Sequence, residues 1–150
     1  MIDLAAALPT ILPIAIAWAE AQSRLVLTNG APLTEYGIND AKAVGVATPE
    51  SIRVAIVPCL PLPDDPVLRA IALDTGLLGP GMVGLTLGHA IFVVQGHDSR
   101  RLLTHEYRHV HQYEVAGSIA AFLPAYLHQI ATVGYNAAPF EVDARQHEIH

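Results

Sequence analysis

Residues 102–114 read LLTHEYRHVHQYE and hold three of the chain's eight histidines. Two of them, His105 and His109, bracket Glu106 in the pattern H-E-x-x-H. On an α-helix, positions i and i+4 stand about 40° apart around the axis and one turn apart along it, so both rings can reach one metal ion. Glu106 then lies about 100° from His105, on the flank of the same face. A carboxylate there sits beside the metal rather than on it, placed to take a proton from water. Chance alone produces the pattern in roughly 2% of shuffled chains of this composition, so the surroundings must decide. Asp98 is placed to cap the helix, Gly117 to end it, and Leu102, Leu103 and Val110 give it a face to bury. A reading without metal, in which the histidines only pack and hydrogen-bond, stays open beside this one.

A catalytic zinc site needs a third protein ligand and an open position for water. Downstream, GYNAAPFEVDARQHE (134–148) puts Glu141 in the first turn of a helix opening near Pro139. It can face the metal across a helix–loop–helix connection, or serve only as a helix-start carboxylate favoured by the dipole. Asp143, two residues on, points well away from Glu141 on an ideal helix. Tyr135 is a candidate to donate to a developing oxyanion. An aromatic core anchor is an equally good reading of it.

The remaining histidines read more plainly. His111 falls roughly opposite the His105–His109 pair and should not share its metal, whereas Gln112 falls near the His105 line and can touch the site. His89 and His97 flank a strand and read as strand or turn residues before oxyanion donors. His147 and His150 belong to a tail.

The stretch THEYRHVHQYE, followed thirty-two positions after His109 (141 − 109 = 32) by the glutamate of APFEVDA, resembles the gluzincin branch of zinc metallopeptidases. Small bacterial single-domain members with a minimal catalytic core are the nearest match in kind. The resemblance covers roughly residues 84–148 at motif level. It implies a small zincin-like domain, with zinc on His105, His109 and Glu141, and Glu106 as general base. It also implies a strand ahead of the active-site helix whose edge aligns an extended substrate, and GLTLGHAIFVV (84–94) is placed for that role. One departure stands out. The family often carries an aspartate four residues after the third ligand, and Arg145 occupies that position here. The group that orients a ligand histidine must then come from elsewhere.

The rest of the chain sets the frame. Its 150 residues suit one domain with one core, and 52% are hydrophobic. Only eight are basic, against a net charge of −6, and they form no run, so the footprint of a nucleic-acid partner is missing. Cys59 is the single cysteine, has no partner at metal-ligand spacing, and reads as a small buried residue. The N-terminal segment is apolar from Leu4 to Trp18, lacks a basic leader, is shorter than a typical membrane span of ~20 residues, and contains Pro9 and Pro13. It reads as a core helix within residues 1–30, starting after one of those prolines and running to about Val26. Thr34 should cap a short helix to Ala43, and IRVAIVP (52–58) should be a strand. Asp65 before Pro66 should open a helix to about Asp74. LTLGHAIFVVQ (85–95) should be a second strand region bent at Gly88. After the H-E-x-x-H helix come one capped by Ser118, kinked or split at Pro124, and the last one. Strands confined to the middle of a helical chain make an α+β fold with a short central sheet.

Two readings of function follow. One is a zinc-dependent hydrolase of peptide or amide bonds in a peptide or protein substrate. The other is a non-catalytic or latent zinc-stabilised module with the same ligands. What occupies the fourth position of the metal discriminates them. The absent basic leader and unpaired cysteine point to the cytoplasm and away from a membrane.

Overall fold

The computed structural model describes residues 3–150. Met1 and Ile2, the head of the expected N-terminal segment, lie outside that span. Helix α1 runs Leu4–Asn29, opened by Asp3, whose carboxylate accepts from Ala6 N–H at 3.4 Å. It therefore starts ahead of both prolines and continues past Val26. Pro9 and Pro13 both face solvent, as does Ala5. The carbonyls that lose a helical partner, on Ala5 and Pro9, lie on this wet side, where water can replace the missing bond.

Ile11, Ala15, Ala19, Ser23 and Val26 form the buried stripe of α1, close to the four-residue spacing of one helix face. At 26 residues, with a mean hydropathy of 1.6 over an 18-residue window that is 28% buried, α1 is long and apolar enough to cross a membrane by length and composition. The shorter length expected from Leu4–Trp18 is corrected accordingly. Within this fold Ile11 and Ala15 pack with Leu68, Ile71, Leu127 and Ile130, Ala19 and Val26 pack on the sheet, and Ser23 donates its hydroxyl to the Leu87 carbonyl at 2.9 Å.

The sheet has the order β1-β2-β4-β3. The two-residue strand β1 (Ala31–Pro32), which carries no pattern long enough to read in advance, pairs antiparallel with β2 (Arg53–Val57). β2 runs parallel to β4 (Ala90–Val94), and β3 (Gly84–Leu87) pairs antiparallel with β4. The anticipated strand region 85–95 is thus a hairpin, turned at Gly88 with φ +70°, a conformation that favours glycine. β3 is an edge of the sheet and β4 is interior, so only the first half of the anticipated substrate-aligning segment has a free edge. α2 (Glu35–Ala43), capped by Thr34, and α3 (Pro66–Asp74), capped by Asp65, form as expected.

β4 is buried on both faces. Ala90 and Phe92 pack with Ala19 and Val26 of α1, while Ile91 and Val93 pack with Ala41 of α2 and with Tyr107 and Val110 of α4 (Arg100–Ala116). An apolar run of this kind suits a central strand between helical layers. α4 is capped by Ser99, whose hydroxyl accepts from Leu102 N–H at 3.2 Å, and not by Asp98. Gly117 closes it in the left-handed region with φ +100°.

Ser118 caps α5 (Ile119–Val133), which runs unbroken through Pro124. That proline frees only the carbonyl of exposed Ala120 in the opening turn. α6 (Pro139–Gln146) completes an α+β fold that, among the described residues, has six α-helices and a four-stranded mixed sheet. Cys59, expected in the core, is exposed.

Candidate metal centre

α4 presents His105 and His109 one turn apart on its buried face, at 8% and 7% exposure, and α6 brings Glu141, at 2%, against both. Their approach is fixed by packing behind them. Tyr113 of α4, Phe122 of α5 and Phe140 of α6 stack in series, with ring centroids 3.9 and 4.9 Å apart. Gln129 on α5 accepts from Phe140 N–H at 3.0 Å, holding the start of α6. Glu141 is the next residue along the chain.

Glu141 Oε1 lies 3.1 Å from His105 Nε2, and Glu141 Oε2 lies 3.0 Å from His109 Nε2. One ligand atom from each of the three residues can be chosen so that all lie within 4.8 Å of one another. Ligands at about 2.05 Å on a tetrahedral zinc are spaced by about 3.3 Å. The two histidine–carboxylate contacts lie slightly inside that spacing, while the three-atom set as a whole spreads to within 4.8 Å.

The far sides of both rings are also engaged. His105 Nδ1 lies 2.8 Å from Glu148 Oε2, and His109 Nδ1 lies 2.7 Å from Gln112 Oε1. Gln112 donates in turn to the Phe140 carbonyl and to Asp143, both at 2.9 Å. Asp143 is paired with Arg108 at 2.8 Å. Outward Nδ1–H bonds of this kind turn the Nε2 lone pairs toward a common point.

Each ring thus has acceptors at both nitrogens. With Glu141 ionised, two chemical states satisfy them all: two imidazolium rings, or two neutral rings with one divalent cation in place of the Nε2 protons. The first puts two like charges side by side out of water, with centroids only 4.9 Å apart. The second has the same total charge on a single ion. Burial opposes protonation of His109, but the Glu141 carboxylate outweighs it and raises the pKa to about 9. His105 is shifted upward by the same competition. Glu141 is held far below the usual carboxylate range: burial pushes up, and its hydrogen bonds to the two histidines win. The donor set, two imidazoles and a carboxylate, fits a borderline metal ion such as zinc.

Glu106 stands beside this cluster and not in it. Its Oε1 accepts from the Thr86 hydroxyl on β3 at 2.8 Å. A Cβ on Gly84 would lie 2.9 Å from Glu106 Oε2, so the glycine lets the edge strand approach. Tyr126 on α5 donates to Glu141 Oε2 at 2.8 Å. Tyr135 is half-buried and lines a cavity shared with Glu106, His109 and Glu141. Burial and the Glu141 charge push its phenol pKa up, so it stays a proton donor.

The other candidates fall elsewhere. His111 bonds the Gly45 carbonyl. His89 pairs with Glu114 and Thr48, and His97 is exposed in a turn. His147 Nδ1 bonds the Asp143 carbonyl. Gln112 does touch the site, and Asp143 reaches it through Gln112.

Glu148, Tyr126 and Thr86 were not anticipated. Glu148 lies past the end of α6 at Gln146, so helical spacing from Glu141 does not place it. Nothing local marks Tyr126 or Thr86. No protein-family model, curated protein or solved structure matches this chain.

Proposed function

We propose that this chain is a zinc-dependent hydrolase of peptide or amide bonds. The observation that carries the reading is the pairing of a three-donor cluster, His105, His109 and Glu141, with a separate carboxylate, Glu106, held by the edge strand. Zinc bound there would act as a Lewis acid toward water and a substrate carbonyl.

The protein's own groups supply the rest. Glu106, its Oε1 fixed by Thr86, takes the proton from the attacking water and passes it to the leaving amine. Tyr135 is placed to donate to the developing oxyanion. The free edge of β3 offers backbone groups to an extended peptide, which would add to the sheet as a further strand. Glu106→Gln keeps the shape and hydrogen-bonding length of the side chain but cannot accept the proton. Assayed on a peptide mixture, it should keep its metal and lose about 10²–10⁴-fold in turnover. Full activity in this variant would refute the assignment.

One observation favours a latent form or a non-catalytic zinc module. The three donors and Glu106 are all 8% exposed or less. On this alternative a protein group would fill the fourth position on zinc. Exchangeable water there, read by relaxation of a paramagnetic cobalt(II) form, separates the two.

A further inference from the structure

The space beside Glu106 is mostly apolar. A cavity of about 120 Å³ runs from Glu106, His109 and Glu141 to the inner faces of α1 and α3. Besides those three residues, the side chains with polar atoms in its lining are Thr86, Trp18 and three tyrosines, and no lysine, arginine or aspartate is among the lining residues. The rest is aliphatic and aromatic. For scale, an apolar cavity of about 150 Å³ in a protein interior stays dry and accepts benzene.

The volume has an identifiable origin. Three alanines, Ala15 and Ala19 on α1 and Ala72 on α3, line the cavity at positions where longer side chains would fill it. A tightly packed core would not leave such a gap without loss of contacts. Here the gap adjoins the residues able to act on a substrate.

We propose that this cavity is the specificity subsite of the centre. It takes one large apolar side chain, of leucine or phenylalanine size, next to the amide that is cleaved. α1 and α3 set its size through Ala15, Ala19 and Ala72, which gives the N-terminal half of the chain its role. The inference rests on the hydrolase reading above. The subsite's only titratable groups besides its tyrosines, Glu106, His109 and Glu141, belong to the centre itself, so beyond them nothing in its wall would pair the buried charge of an acidic or basic side chain.

The test uses the full zinc-loaded chain and peptide hydroxamates differing only in the side chain beside the metal-binding group: glycine, leucine, phenylalanine or aspartate. Calorimetry should show leucine or phenylalanine binding about tenfold or more tighter than glycine, with aspartate weakest. Ala72→Phe should keep its zinc and lose that preference. Ala15→Leu does the same duty if Ala72→Phe does not fold. Equal affinities across the series, a preference for aspartate, or an unchanged preference in the folded variant would overturn the subsite.

If no hydroxamate binds because no zinc is held, the hydrolase reading fails separately. Benzene added to the metal-free chain then decides the cavity. A rise in thermal midpoint in the wild type, absent from the alanine variant, retains the apolar site, and no rise removes it.

Discussion

At the scale of single residues, the geometry of the His105–His109–Glu141 cluster depends on groups outside it. Glu148 holds His105 Nδ1 from the chain's tail, and its carboxylate also pairs with Arg101 at 3.3 Å. It takes up the orienting work that Arg145, pointing elsewhere, cannot do. Glu148→Ala should weaken zinc binding by about 10–100-fold, read by competition with a chelator, with little change in secondary structure. Gly84 is the complementary case. Its backbone φ is not in the left-handed region, so alanine is tolerated by the chain itself. The added Cβ instead pushes on Glu106. Gly84→Ala should therefore keep a full equivalent of zinc and lose activity, and an unaltered rate would show that Glu106 needs no fixed position.

Single residues also mark the limit of what the sequence discloses. The histidine pair and Glu106 were legible because helical spacing puts them on usable faces of one helix, and Glu141 was a candidate by its place in the first turn of a later helix and by the resemblance. Glu148 was not, because α6 ends at Gln146 and only tertiary contacts place the tail, with Ile149 N–H donating to Thr104 at 2.8 Å.

At the scale of elements, α4 and α6 are joined by the Glu141–histidine contacts, and this makes the metal-free protein sensitive to pH. Glu141 has its folded pKa depressed, so its contribution is present above the unfolded value of 4.5 and is lost as pH falls. His109 has its folded pKa raised from 6.5 to about 9, so its contribution is full below 6.5 and is lost as pH rises through 9. The two describe one interaction and count once. Urea denaturation of metal-free protein should show greatest stability between pH 4.5 and 6.5. It should show a loss on the order of 3 kcal/mol or less by pH 9.5. Stability flat across that alkaline range would mean that the pair is not formed without metal.

Elements whose starts carry a local signal, a capping side chain for α2, α3 and α5 and a first-turn proline for α6, begin where the sequence puts them, because such signals are local chemistry. α1 departs from expectation for a reason no local rule contains. Its prolines fall on the face that tertiary packing leaves to solvent. β1, two residues long, exists only because β2 is beside it.

At the scale of the molecule, the centre lies where the edge strand β3, the helices α4, α5 and α6 and the apolar cavity meet. Zinc that binds only the folded chain should stabilise all of these together. At a thousandfold excess over its dissociation constant the gain is about 4 kcal/mol, a rise in thermal midpoint on the order of 10 °C, reversed by chelator. The α+β class was readable from the order of helix and strand patterns. The cavity was not, since its walls come from residues 11 to 141 and no local pattern joins them.

The most direct test is elemental mass spectrometry of the purified wild-type chain beside His109→Ala. The metal centre predicts about one equivalent of zinc in the wild type and little in the variant. No tightly held metal in either, after zinc has been supplied, would reduce residues 102–114 to a histidine-rich helix and remove the hydrolase with it.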